Sequence, residues 1–379
     1  MTTWSVVKDE SKENGRMPRW ARTALASLLS VIVLATGMVL IPRDPGPPPA
    51  VPFSESARAG ALADTFSLLD AATGLRTAAA VPGRSALPDT VLADTVTLLT
   101  TQSRALLSPA QATPPAGSAA PDRSEADPSE TAPTPQAVVA ALSASGAQRL
   151  ADAADADGGI ARLLAAVGTA QILQSARLAA AAGLPAPAAP AQITPTAVPT
   201  ATGACPPSAA PTAPGTATLA GALAAAIRAE HEAVYVHQVA LTRLAPAASG
   251  AAQNALTALT AHQAALHRAE ALGHEHCLEV PPREAGYRLP EQLSTKPLAA
   301  LGMLEAGMLP GFGDLIALGT GDTRQWALDG LLEAARRSTA WGTPLEALPG
   351  LVVDAAALPP LPAPATSAPA ANAAATSGP

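Results

Sequence analysis

Apolar residues recur at helical spacing along most of the chain. Leu62, Phe66 and Leu69 predict a helix beginning near Ser56. Leu92, Val96, Leu99 and Leu106 share one face of a second, over residues 88–107. Helical character returns from Pro135 and again from Ile160 to Leu184. A second group of periodic stretches predicts helices over residues 217–245, 250–277, 296–319 and 322–341. Four such helices joined mostly by short loops suit a four-helix bundle, and the predicted fold class is all-α.

The breaks in that pattern divide the chain. Residues 108–135 and 185–215 are rich in proline, alanine and small polar residues and read as linkers. Residues 352–379 have the same composition and read as a disordered tail. The predicted order is a stub at 1–22, a membrane helix at 23–42, an alanine-rich helical region at 55–184, and a bundle at 216–351. The run from Thr23 to Pro42, TALASLLSVIVLATGMVLIP, carries no charge and has the length of a membrane helix. Lys8, Lys12, Arg16, Arg19 and Arg22 precede it, which predicts a cytoplasmic N-terminus and an extracytoplasmic remainder. A cleaved signal peptide fits less well, because PRDPGPPPAVP is a poor cleavage context.

Composition narrows the interior. Aromatic residues are 2% of the 379 and proline accounts for 39, so the cores must be thin and built from Leu, Val, Ile and Ala. The net charge of -7, with no basic stripe, gives no support for nucleic-acid binding. The only cysteines are Cys205 and Cys277. In an oxidising compartment they read as one disulfide closing a long loop, with two unpaired thiols as the alternative.

All six histidines lie between His231 and His276, within the bundle segment. On its first helix, Leu223, Ile227, Val234 and Leu241 define the apolar stripe; Glu230 falls near the centre and His237 near the edge. On the second, Leu256, Leu259 and Leu266 place Gln263, Glu270 and His274 inward with His267 close by, and His231, His237, His262 and His267 are each also readable as solvent-facing. On the third, Glu305 points broadly with Leu301, Leu304, Met308, Phe312 and Leu315. Glycines at 302, 307, 311 and 313 and Pro310 would interrupt that helix. On the fourth, Glu333 points away from the stripe, and Arg336 stands where a ligand is needed.

Inward carboxylates on three helices need partners. Carboxylates and histidines on facing helices are how bundles hold two iron or manganese ions, normally through Glu-x-x-His on two of the helices. That spacing is not met here: Glu270 and His274 are four apart. The favoured reading is therefore a polar seam inside an inert bundle, with no cofactor. The alternative is an iron, manganese or zinc site built from Glu230, His237, Glu270, His274 and Glu305. No phosphate loop and no nucleophile elbow occurs.

The same segment resembles a known family. AEHEAVYVHQVALTRL at 229–244, TAHQAALHRAEAL at 260–272, YRLP at 287–290, LAALGMLEAGMLPGFGDLIA at 298–317 and LLEAARRSTAWGTPLEALPGL at 331–351 occur in order. The order and content resemble the ferritin-like domain of unknown function found in exported actinobacterial proteins. The resemblance implies a ferritin-like four-helix bundle, tethered or exported, and assigns no reaction. The expectation is a membrane-anchored cell-envelope binding or structural module, more in keeping with a non-enzyme. Its partners would be the membrane and an envelope protein or ligand, with homodimer pairing along a helix face. The alternative is a metal-binding protein or di-metal oxidase.

Overall fold

The apolar spacing is realised as helix at each stretch predicted beyond residue 55. The computed structural model describes residue 27 and residues 50–80, 87–108, 133–188, 217–244 and 249–362. These contain helices α1 (Phe53–Ala79), α2 (Asp89–Leu106), α3 (Pro135–Asp155), α4 (Gly158–Ala181), α5 (Leu219–Arg243), α6 (Ser249–Glu275), α7 (Pro297–Leu318) and α8 (Gly321–Ala340). A single 3-10 turn, Glu291–Ser294, precedes α7, and no strand occurs among the described residues. The stub at 1–22, the expected membrane helix at 23–42 apart from Ser27, most of both linkers and the tail beyond 362 lie outside the described residues. The chain divides into two compact units, Met1–Val51 and Pro52–Pro379, and the described helices belong to the second.

Local chemistry sets the helix starts. The Thr134 and Thr218 hydroxyls accept from the amides of Ala137 and Gly221, satisfying N-terminal donors that a helix leaves unpaired. Pro135 and Pro297 occupy the first turn, where a missing N–H costs nothing.

Helices α5 to α8 form a ferritin-like bundle in which α5 packs on α6 and α7, and α7 packs on α8. Helix α1 pairs with α2 and α3 with α4, and α4 also lies against α7. Consequently Leu164 and Val167 of α4 share one core with Leu315 and Ile316 of α7 and Leu328 and Leu331 of α8. Every residue from Leu164 to Ser175 is buried, so this part of α4 is covered on all sides. A fully buried leucine contributes roughly 1.5–3 kcal/mol and an alanine much less, so close approach must compensate for small side chains.

Polar ties link the two sets of helices. Arg324 of α8 donates to the carbonyls of Ala154 and Ala156 at the end of α3, which have no helical donor of their own. Arg162 of α4 donates to the Gly350 carbonyl, and Gln102 of α2 to the Ala347 carbonyl. Residues 352–362 run beside α2, where Arg104 donates to the carbonyls of Leu358 and Pro359.

Helix α7 is continuous through Pro310, contrary to the interruption expected from its glycines. Gly302 and Gly313 serve close packing instead, while a Cβ at Gly307 or Gly311 would meet nothing within 4 Å. A Cβ at Gly313 would lie 2.5 Å from the Gly350 oxygen and 2.7 Å from Arg162 Nε. Among the described residues, α7 is the one helix long and apolar enough to cross a membrane. Half of its most apolar window is buried in the protein, and it carries Glu305, so it is the core helix of the bundle.

Candidate metal centre

The centre of the bundle holds four ionisable side chains from three helices. Glu230 and His237 come from α5, two turns apart and therefore on one face. His262 comes from α6 and Glu305 from α7; all four are 0–1% exposed. Arg337 of α8 reaches them from the side.

The hydrogen bonds fix the orientation of each ring. His262 Nδ1–H donates to Glu230 Oε2 at 2.8 Å, and Nε2–H donates to Glu305 Oε1 at 2.9 Å. Arg337 Nε–H donates to the same Glu305 oxygen at 2.8 Å. His237 Nδ1–H donates to the Ala233 carbonyl at 2.9 Å, one turn back on its own helix. That bond leaves the Nε2 lone pair free. His237 Nε2 and Glu305 Oε2 are both buried without a hydrogen-bond partner.

Protonation follows from these contacts. Burial opposes charge on His262, but hydrogen bonds to Glu230 and Glu305, and their negative charge, outweigh it and raise its pKa to about 9. Burial and the neighbouring His262 charge lower His237 to about 4, despite its bond to Ala233. For Glu305, burial favours the neutral acid, but His262 and then Arg337 prevail and its pKa is lowered. At neutral pH the centre thus holds an imidazolium at His262, a neutral His237 and ionised Glu305.

One atom each from His237, His262 and Glu305 lie within 4.8 Å of one another, close enough to share one ion. Both histidines carry the outer support that metal-ligating imidazoles require: Nδ1–H held by a backbone carbonyl in His237 and by a carboxylate in His262. Two buried ligand atoms stand without partners. The residues fit a divalent transition metal.

This cluster corrects two expectations. An absent cofactor and a non-enzymatic bundle were anticipated because the Glu-x-x-His spacing is not met. The three buried donors do not need that spacing, since each comes from a different helix. A buried His/His/Glu set that leaves coordination positions open is the kind found at catalytic centres.

Of the anticipated site residues, Glu230, His237 and Glu305 converge. Glu270 and His274 do not: Glu270 is half-buried near His231 and His267, and His274 is exposed. The face of α6 is turned by one residue from the one its leucines suggest. Ala255, His262 and Ala269 are fully buried at seven-residue spacing, while Leu256 is 46% exposed. His262 was the residue missed, and the signal that could have found it is that alanine heptad. Glu333 points away as anticipated and pairs with Arg336. The partner that satisfies Glu230 is His262. Cys277, just beyond α6, is disulfide-bonded, and the chain's other cysteine, Cys205, lies outside the described residues.

Residues 222–353 match a family model. It is a domain of unknown function, DUF4439. The matched domain covers α5 to α8 almost entirely, together with the extended stretch that follows, and agrees with the resemblance drawn from residues 216–351. No curated protein and no solved structure matches the chain.

Proposed function

We propose that the protein is a membrane-anchored, extracytoplasmic metalloprotein whose bundle binds one divalent transition-metal ion through His237, His262 and Glu305. The observation that carries this reading is the pair of unpartnered buried atoms, His237 Nε2 and Glu305 Oε2, beside a carboxylate-held imidazole. A 2-His-1-carboxylate set supplies open positions for small ligands, as in non-haem iron(II) oxygenases and, as His₂Glu, in catalytic zinc sites.

The surrounding residues favour one ion over two. Glu230 is engaged in orienting His262. The fourth helix contributes Arg337, a cation, where a di-metal bundle would place a carboxylate or imidazole. Arg337 holds Glu305 by Oε1 and is the one member of the group with a partly exposed side chain, 18%. The approach from solvent therefore runs along Arg337.

The anchor is the segment at 23–42, with its basic flank placing residue 43 onward outside the cytoplasm. A disulfide at Cys277 suits that oxidising compartment. An envelope protein or ligand as partner, and pairing of bundles along a helix face, belong to the same proposal.

The test is the metal content of the full-length chain, purified in detergent after expression with iron, manganese and zinc supplied. One equivalent is expected, lost in Glu305→Gln with an unchanged helical spectrum. A folded, unmodified chain that binds none of the three would overturn the reading and leave His262 as a buried imidazolium between two carboxylates.

A further inference from the structure

A second group of histidines and a carboxylate lies on the outside of the α5/α6 pair and takes no part in the buried centre. His231 Nε2 is 3.8 Å from Glu270 Oε1. His267 Nδ1 is 3.7 Å from Glu270 Oε2. Each oxygen of one carboxylate thus faces a different imidazole, and both separations are too long for a hydrogen bond. They are close to the spacing of two ligand atoms on one tetrahedral ion, about 3.4 Å for bonds of about 2.1 Å.

Sequence spacing builds this arrangement. His267 and Glu270 are three apart on α6 and share a face. His231, buried like its neighbour Glu230, faces them from α5 about 100° round the helix from Glu230. The side chains grade from open to covered: His267 is 81% exposed, Glu270 31% and His231 9%. The three donors do not converge on one point as placed, since His231 and His267 face different oxygens of Glu270; His267, being exposed, must swing onto an ion held by the other two. The nearby arginine does not neutralise Glu270, because Arg268 is committed to Glu275 and Asp322. Glu270 lies eight residues beyond His262 along α6, about 12 Å of helix, so one ion cannot serve both places.

We propose that His231, Glu270 and His267 form a second divalent-metal site, open to solvent. Two imidazoles and one carboxylate suit zinc, copper or nickel and give no preference for magnesium or calcium. The site is independent of the buried centre, since the two share no ligand.

Calorimetric titration of the full-length chain with zinc chloride at pH 7.5 tests it. The expected result is a weaker class of sites, about one equivalent, that disappears in Glu270→Gln and persists in Glu305→Gln. His267→Ala should weaken this class at least tenfold. A weaker class that is unchanged in Glu270→Gln, or absent from the unmodified chain, overturns the proposal. Loss of only the tight class, with the Glu270-dependent class intact in the unmodified chain, would instead count against the buried centre and leave this site standing. Glu270 is partly exposed, so glutamine is accommodated without loss of fold, and far-UV circular dichroism verifies it.

Discussion

His237 Nε2 and Glu305 Oε1 face each other at 3.8 Å across the centre of the bundle, and no donor satisfies that nitrogen. Buried polar atoms are rarely left this way, because each unmet group costs on the order of 1–3 kcal/mol. His237 cannot relieve the cost by turning, since its other nitrogen is bonded to Ala233. The pair is instead held ready for an atom between them.

Glu230 should act on metal affinity without touching the ion. It accepts from His262 Nδ1 and so sets which nitrogen faces Glu305. Glu230→Gln is expected to retain one equivalent of zinc but weaken its binding about 10–100-fold. Competition with a chromophoric chelator measures this, and unchanged affinity would remove Glu230 from the supporting role.

Metal affinity should fall with acidity. To become a ligand, His262 must surrender the Nε2 proton that Glu305 now accepts, and its pKa is raised to about 9. Between about pH 6 and 8 one proton is released per ion, so the apparent dissociation constant should rise about tenfold per unit of falling pH. Calorimetry in buffers of different ionisation enthalpy counts that proton; a pH-independent constant over this range would contradict the His262 assignment.

The metal-free protein should be most stable near pH 6.5. His262 binds its proton more tightly folded than unfolded, so its stabilisation is complete below about 6.5 and is lost as pH rises through about 9. His237 is the reverse: its pKa is lowered to about 4, so stability present above about 6.5 is lost as pH falls toward 4. The alkaline loss is on the order of 3 kcal/mol. Urea midpoints from pH 4 to 10 in the presence of chelator should trace a maximum, and His262→Gln should abolish the alkaline limb.

Arg337 opposes a divalent ion by charge and occupies Glu305 Oε1. Arg337→Met, which keeps the stem and removes the charge, should tighten zinc binding about tenfold, or roughly 1.4 kcal/mol. Weaker binding in this variant would mean that Arg337 positions Glu305 for the ion.

Docking of α4 on α7 depends on Gly313. A Cβ there would meet the Gly350 oxygen at 2.5 Å, and backbone cannot swing aside as a side chain can. Gly313→Ala should destabilise the protein by about 1–3 kcal/mol, read as a lower urea midpoint.

Much of this was legible before any fold was known. The helix boundaries of α5 to α8 fall within two residues of those read from apolar spacing and proline, because period and breakers act locally. The inward placement of Glu230, His237 and Glu305 followed from the same periodicity, since each interrupts a stripe of large apolar residues. The all-α class and the likeness of residues 222–353 to a domain of unknown function were likewise carried by the sequence.

Tertiary structure decided the rest. Leu256 draws the inferred face of α6 toward Glu270, yet helix α6 presents Ala255, His262 and Ala269, with Leu259 and Leu266 buried beside them. Alanine carries little hydrophobic signal but permits close helix approach, so the face that packs best is not the face that looks most apolar. One residue of rotation, about 100°, exchanges Glu270 and His274 for His262. Arg337 entered for a similar reason: a long side chain at the edge of α8 reaches a buried carboxylate that only packing brings near. Sequence determined which helices exist and what chemistry they carry, while the closeness of their approach determined which of those groups meet.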